Sequence, residues 1–163
     1  TSGNESMARQ ASKEVRKGTL RPQAKSRPTS SARQPVTLYV CRSCVWSESQ
    51  RERDDRRQGD FLLEAINQEI ERVPLPKNVG LRAVHCLNGC KSPCNVAFRS
   101  PGKHGLRFSH LTPENAGEVV AFLGAYHKSD IGDVPEEAIP EGMRGKLTVR
   151  TPPPPIRPGQ RLK

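Results

Sequence analysis

Five cysteines are the residues of this chain best suited to carry chemistry. Two residues separate Cys41 from Cys44, three separate Cys86 from Cys90, and Cys94 follows after three more. Thiolate sulfur is a soft ligand that binds zinc and the iron of iron–sulfur clusters. Four thiolates from two such groups can hold one tetrahedral metal ion or bridge two irons. The spacing therefore predicts a metal or cluster site.

The elements around the cysteines are predicted to bring the two groups together. Val36–Val40 is rich in β-branched and aromatic residues, which predicts a strand that ends at the first pair. Val79–Val84 predicts a second strand that ends just before the second group. The stretch between them predicts a helix from Asp60, as its N-cap, to about Arg72. A right-handed crossover makes the two strands parallel, and ligands in open α/β sheets collect at the carboxyl ends of such strands.

The rest of the apolar pattern completes a small α/β domain. Val96–Arg99 and Leu106–Ser109 flank a turn signal at 100–103, which predicts an antiparallel hairpin. Thr112 and Pro113 mark the start of a second helix. The order β-α-β-β-β-α is that of a thioredoxin-like fold, and the apolar face of the second helix is predicted at Ala116, Val119, Val120, Leu123 and Tyr126.

The positive charge of the chain is concentrated in its two ends. The 163 residues carry a formal net charge of +10, of which 1–35 hold +6 and 140–163 hold +5, whereas 36–139 hold −1. Because the predicted folded segment has no basic face interleaved with aromatic residues, a nucleic-acid partner is not expected. The composition predicts a disordered basic leader over 1–35, a metal- or cluster-binding domain over 36–139, and a Pro-rich basic tail over 140–163.

Membrane insertion and export are not expected from this sequence. It contains no run of about 18 apolar residues and no hydrophobic stretch near its start. Five cysteines without an export signal point to thiols or thiolate ligands in a reducing compartment, so a cytoplasmic location is predicted.

The cysteine pattern resembles that of a known family. V-C-R-S-C at 40–44, C-L-N-G-C-K-S-P-C-N-V at 86–96 and P-G-K at 101–103 resemble the DUF1636 family of predicted metal-binding proteins. The segment from Cys86 to Pro93 is also similar to thioredoxin-like [2Fe–2S] ferredoxins, including the small cluster-bearing subunit of respiratory complex I. The resemblance extends over about 36–155.

This resemblance implies a [2Fe–2S] cluster and a one-electron carrier that serves a redox partner protein. The implied ligands are Cys41, Cys44, Cys86 and Cys90, with Cys94 as an alternate ligand. Two other interpretations stay open: a zinc or other soft-metal site with no redox role, and a dithiol oxidoreductase that works through Cys41 and Cys44. No Ser/His/Asp set, P-loop or pair of catalytic carboxylates suggests an enzyme. The oligomeric state stays open, a homodimer included.

Several neighbours of the cysteines are expected to modify the site. Trp46 is predicted to cover it and limit solvent. Three cationic residues are predicted to offset thiolate charge, namely Arg42, Lys91 and Lys103. His85 is a weaker candidate ligand, and three further histidines are expected at the surface, namely His104, His110 and His127.

Overall fold

The computed structural model describes residues 34–154. The predicted leader over 1–35 lies outside the described residues apart from its last two positions. The predicted tail lies outside them from residue 155 onward.

Five strands form one mixed sheet, and two helices lie in the connections between them. The sheet order is β2-β1-β3-β4-β5. The elements are β1 (Val36–Cys41), α1 (Gln58–Arg72), β2 (Val79–Val84), β3 (Val96–Arg99), β4 (Gly105–Phe108), α2 (Ala116–Lys128) and β5 (Leu147–Thr151). Short 3-10 turns lie at Pro113–Asn115, Glu136–Ala138 and Glu141–Met143.

The strand directions confirm the predicted thioredoxin-like α/β arrangement. β1 and β2 are parallel and are joined by α1, whereas β3 is antiparallel to β1 and β4 is antiparallel to β3. β2 and β3 have the bounds that the sequence predicts, and β1 and β4 are displaced by one residue at their ends. The carboxyl ends of β1 and β2 therefore meet at one edge of the sheet, as predicted.

The sheet has five strands, whereas the sequence predicts four. Leu147–Thr151 forms β5, which pairs antiparallel with β4 at the sheet edge. The folded part of the chain thus continues past 139, and the predicted tail over 140–163 begins too early. The apolar pattern does not predict this strand, because Leu147 and Val149 are its only large apolar residues.

Both helices pack on the same face of the sheet. Alternate residues of the strands point to that face and are buried there, and α1 and α2 contact each other above them. Phe122 of α2 lies 4.9 Å from both Phe98 and Phe108, measured between ring centroids. Burial of aromatic and aliphatic side chains in this layer is the main stabilising contribution to the domain.

The two helix starts differ in how well the sequence predicts them. Asp60 is not the N-cap of α1, because the helix begins two residues earlier and Arg57 takes the cap position without a side-chain hydrogen bond. Asp60 instead lies in the first turn and binds Arg42 at 2.8 Å. The start at Thr112 is confirmed: its backbone N–H donates to Asn115 Oδ1 at 3.0 Å, and α2 follows one 3-10 turn later. Within residues 34–154, no helix is long and apolar enough to cross a membrane.

Candidate metal centre

The two cysteine loops lie side by side where β1 and β2 end. Cys41 is the last residue of β1 and lies opposite Val84 in the register of the parallel pair. Beyond the strand, the N–H of Arg42 donates to Val84 O at 2.9 Å and the N–H of Ser43 to His85 O at 3.1 Å. These bonds hold the Cys41–Cys44 loop against the segment that leads to Cys86.

Three of the five thiols are buried together. Cys41, Cys44 and Cys94 are 1 %, 2 % and 0 % exposed. The Cys44 thiol, hydrogen-bonded to that of Cys41, raises the pKa of Cys41, and burial raises it further. The pKa of Cys44 is raised to about 11, because the contact with Cys94 and burial outweigh the lowering effect of the Cys41 thiol. Cys41 and Cys44 are therefore protonated at neutral pH when nothing is bound to them.

The other two thiols face solvent. The sulfur atoms of Cys86 and Cys90 are 3.7 Å apart, and both residues are exposed. The backbone N–H of Asn88 donates to Cys86 Sγ at 3.2 Å. Cys86, and more weakly burial and the charge of Cys41, raise the pKa of Cys90. The buried Cys41 thiol donates to His85 O at 3.6 Å, so it lies against the residue that precedes Cys86.

Asn95 joins the two loops from inside the protein. This fully buried amide donates through Nδ2 to Gly89 O at 2.8 Å and to Ser92 O at 3.2 Å. The same nitrogen lies 3.5 Å from Cys44 Sγ, and Oδ1 accepts from Ser109 Oγ at 2.7 Å. One side chain thus ties the loop that carries Cys90 to the thiol of the first pair.

Two glycines allow the backbones around the cysteines to approach one another. A Cβ on Gly59, in the first turn of α1, would lie 2.2 Å from Cys41 O and 2.7 Å from Arg42 O. A Cβ on Gly89 would lie 2.1 Å from Asn95 Oδ1. Side chains at either position would push the cysteine loops away from their supports.

Arg107 holds the exposed loop from β4. Its Nη1 donates to Leu87 O at 2.9 Å and to Asn88 O at 3.3 Å, the two carbonyls that follow Cys86. Because Arg107 lies within β4, these hydrogen bonds fix the loop to the sheet.

The predicted cationic neighbours are only partly where the sequence analysis expects them. Arg42 is engaged with Asp60, and Lys91 is exposed beside Cys90. Lys103 is buried, and its Nζ donates to the carbonyls of Tyr126 and His127 at 3.0 Å each, so it serves the end of α2.

The remaining predicted neighbours are a tryptophan and four histidines. Trp46 lies against Phe61 with ring centroids 5.4 Å apart. Its predicted covering of the site stays a prediction. His85 is exposed, and its carbonyl accepts from Cys41 Sγ at 3.6 Å. The expected surface position of His127 is wrong: it is buried, and Nε2 lies 3.0 Å from Asn78 Oδ1.

The donor set suits a soft metal ion, although its ligands are not yet gathered around one point. In the segment 34–154, no three His, Cys, Asp or Glu side chains already form a group able to hold a metal ion. A metal or cluster bound by both pairs requires the exposed pair to approach the buried one. Thiolates that repel one another and are costly to bury are stabilised by a bound cation, and ligation releases their protons.

Comparison with known proteins identifies the family. The family model named "Protein of unknown function (DUF1636)" matches residues 38–153. The chain belongs to the DUF1636 family. No curated protein matches it.

Two solved structures from Aquifex aeolicus are similar to this DUF1636 chain. The first is a thioredoxin-like [2Fe–2S] ferredoxin with 18 % identity and a TM-score of 0.46, covering 76 % of this chain and 99 % of that one. The second is a wild-type thioredoxin-like [2Fe–2S] ferredoxin crystal structure with 18 % identity and a TM-score of 0.43. It covers 65 % of this chain and 95 % of that one. Identity this low assigns no function to the chain.

The sequence does not predict three residues that support the cysteine loops. Gly59 and Arg107 act on the cysteine loops from α1 and β4, so no local spacing relates them to the cysteines. Asn95 offers the one available signal, because a polar residue between Cys94 and the apolar strand β3 needs buried partners.

Proposed function

We propose that this DUF1636 protein binds a [2Fe–2S] cluster through Cys41, Cys44, Cys86 and Cys90 and serves as a one-electron carrier. The observation that carries the proposal is the juxtaposition of two cysteine loops at the carboxyl ends of β1 and β2, with a buried pair beside an exposed pair. When bound, such a cluster accepts and releases a single electron. No bond-making chemistry is asked of the protein.

The burial of the first pair supports a ligand role over thiol exchange. A dithiol oxidoreductase needs an accessible thiol that ionises readily, so that it can attack a substrate disulfide. Cys41 and Cys44 are 1 % and 2 % exposed, and the pKa of each thiol is raised. A buried pair that resists ionisation on its own is better suited to a cation that stabilises both thiolates.

Nitrogen donors aimed at sulfur support an iron–sulfur cluster. The Asn88 N–H reaches Cys86 Sγ, and Asn95 Nδ2 reaches Cys44 Sγ, so each pair has one such donor. Hydrogen bonds to cluster sulfur are one of the features by which proteins set the reduction potential. Donors on both pairs would raise the potential by stabilising the reduced, more negative cluster.

Anaerobic purification of the full chain tests the proposal. We expect a brown protein whose visible sulfur-to-iron absorption bleaches with dithionite, with two irons and two acid-labile sulfides per chain as the cluster itself requires. A colourless protein that holds about one zinc per chain would overturn the cluster in favour of a four-cysteine zinc site.

Matched serine substitutions test the ligand assignment. Cys86→Ser is expected to abolish the visible spectrum or shift it strongly, whereas Cys94→Ser is expected to preserve it. Circular dichroism should show that both variants keep the fold. Loss of colour in Cys94→Ser, with colour retained in Cys86→Ser, would replace Cys86 by Cys94 in the ligand set.

A further inference from the structure

The sheet has a second face that no described helix covers. Because α1 and α2 both pack on one face, the other is formed by the alternate strand residues that point away from the core. In the register of the sheet, Arg82, Tyr39, Ala97, Arg107 and Val149 form one row across it. We refer to this surface, with Val84 and Arg99, as the open face.

The open face is positively charged and lacks carboxylates. The five strands contain four arginines and no acidic residue. Arg150 binds Asp133 at 2.5 Å. The other three arginines are those of the open face, and none of them forms an ion pair within 34–154, whose acidic residues all lie in helices and loops.

A groove on the open face runs up to the exposed cysteine pair. It has a volume of about 360 Å³ and an apolar floor that includes Tyr39, Val84 and Leu87. Arg99 and Arg107 line it as well, and so does Cys86. A surface with an apolar centre and a charged rim is typical of a protein–protein interface, and arginine and tyrosine are common there.

We propose that the open face is the docking surface for an acidic one-electron acceptor protein. The inference rests on the proposed function, and it adds the surface used and the charge of the partner. The electron would leave through the Cys86–Cys90 loop, so that the bound cluster is oxidised by one electron and the acceptor is reduced by one, with no bond formed or broken. The acceptor's carboxylates pair with Arg82 and Arg99, while an apolar side chain enters the groove.

Charge complementarity selects this occupant over a second copy of the chain. Two open faces placed together would oppose arginine to arginine without a carboxylate from any strand to separate them. Like charges juxtaposed in an interface oppose association, whereas an acidic patch is attracted from a distance. The exposed cysteine pair at the end of the groove places the electron exit inside the same contact.

A redox-inactive anion maps the docking surface without any need for electron transfer. Hexacyanochromate(III) is a paramagnetic trianion that broadens the amide signals near which it binds. Titrated into the isotope-labelled full chain as purified, it should broaden the folded-domain amides of Arg82, Ala97 and Arg99 before those of α1 and α2. Broadening concentrated on the helices, or uniform over the domain, would overturn the proposal.

Charge reversals on and off the open face provide the matched comparison. Arg82→Glu/Arg99→Glu and Lys77→Glu/Lys128→Glu change the net charge equally, and all four side chains are exposed. In the arginine variant, the apparent affinity of hexacyanochromate(III) for the open face should fall about tenfold. In the lysine variant, that affinity should stay unchanged. Equal effects of the two variants would show that only net charge matters and would contradict the proposal.

Stopped-flow oxidation of the dithionite-reduced protein tests the electron exit. Iron(III)–EDTA, an anion, should react more slowly as salt rises from about 20 mM to about 200 mM, and the cation hexaammineruthenium(III) should react faster. At low salt, iron(III)–EDTA should oxidise the arginine variant about tenfold more slowly than the lysine variant. Equal rates would overturn the proposal.

The colour of the purified protein and the hexacyanochromate(III) titration separate failure of the proposed function from failure of this proposal. A colourless protein would refute the electron carrier, while the titration still decides whether the open face binds anions. Sedimentation of the full chain decides the remaining occupant. A dimer that shields the open face from hexacyanochromate(III) would assign it to a second copy and refute the acidic acceptor.

Discussion

Asn95 shows how one buried polar residue can organise a site made from two loops. Its side chain reaches carbonyls at Gly89 and Ser92, the thiol of Cys44 and the hydroxyl of Ser109, and its own carbonyl accepts the Cys41 N–H at 3.1 Å. A buried amide left without partners costs about 1–3 kcal/mol, so these contacts favour a single arrangement of the loops. The position of the thiols is thus decided by a residue that need not bind the metal.

At the same scale, Gly59 is expected to tolerate no side chain. Gly59→Ala places a methyl group against the carbonyls of Cys41 and Arg42, so the first turn of α1 must move away from the cysteine loop. We expect a loss of about 2 kcal/mol or more in the free energy of unfolding, measured with urea.

Gly124→Ala is the matched control for this substitution. Gly124 lies inside α2, and its added Cβ would meet nothing within 4 Å. Alanine has the higher helix propensity, so this variant should gain about 0.5–1 kcal/mol. Equal stability changes in the two variants would contradict the close approach at Gly59.

Tyr126 is expected to make stability fall at high pH. Burial raises the pKa of Tyr126 to about 12, and its hydroxyl donates to His104 O at 2.6 Å. The unfolded phenol ionises near pH 10, so its contribution is complete below pH 10 and is lost as pH rises to 12. The slope is about −1.4 kcal/mol per pH unit within that window. Urea unfolding should show the advantage of the wild type over Tyr126→Phe shrinking with pH, and parallel curves would contradict this.

At the scale of elements, the loop between β2 and β3 carries most of the cysteines. The chain leaves β2 at Val84 and returns in β3 at Val96, and the intervening loop carries three cysteines. Arg107 of β4 holds this loop through the carbonyls of Leu87 and Asn88, and Asn95, just before β3, holds it through the carbonyls of Gly89 and Ser92. The loop is thus held at both halves, which leaves the exposed pair accessible and the buried pair anchored.

Removal of β5 is expected to weaken the sheet, although the sequence predicts a tail there. Two truncated chains, ending after Gly145 and after Pro154, differ only by β5 and its flanking residues. The shorter chain leaves β4 as an unpaired edge and loses the partners of Arg107, Phe108 and Gly105. We expect its urea midpoint to fall by an amount equivalent to about 2 kcal/mol or more. Equal midpoints would show that β5 does not contribute to the fold.

At the scale of the whole molecule, the apolar core extends well beyond the buried thiols. Cys41, Cys44 and Cys94 belong to the core cluster, but most of that cluster is aliphatic and aromatic, including the layer of Phe98, Phe108, Phe122 and Tyr126 between the sheet and α2. Metal binding should therefore order the loops more than it determines whether the chain folds. This extended core distinguishes the protein from a small zinc domain that is unfolded without its metal.

Removal of the bound metal or cluster is expected to loosen the loops and leave the core intact. A ligand that binds only the folded state stabilises it by mass action, so stripping the protein under anaerobic, reducing conditions should lower the melting temperature. Hydrogen exchange should speed up over 41–44 and 85–94 and stay slow in β3 and α2. Uniform loss of protection across the domain would show that the metal is required for folding.

Much of this architecture follows from local properties of the sequence. Apolar and β-branched residues indicate β1 to β3, and Thr112 with Pro113 marks the start that leads into α2, because strand propensity and helix capping depend on residues close in sequence. The parallel crossover then brings the two cysteine groups to one edge, since few connections are sterically possible. The local pattern does not predict β5, because pairing with β4 stabilises this strand more than its few apolar residues do.

Only the tertiary structure decides which cysteines are buried and what surrounds them. The cysteine spacing is read directly from the sequence. Burial of the thiols depends instead on α1 packing Gly59 against the first loop, and on the contacts that Asn95 and Arg107 make with the second loop. The open face likewise appears only when strands far apart in sequence align their arginines in register. The sequence by itself determined the chemistry of the ligands and the order of the elements, because both are local. Long-range packing decided access, support and the docking surface, because these arise from contacts between residues that the sequence keeps apart.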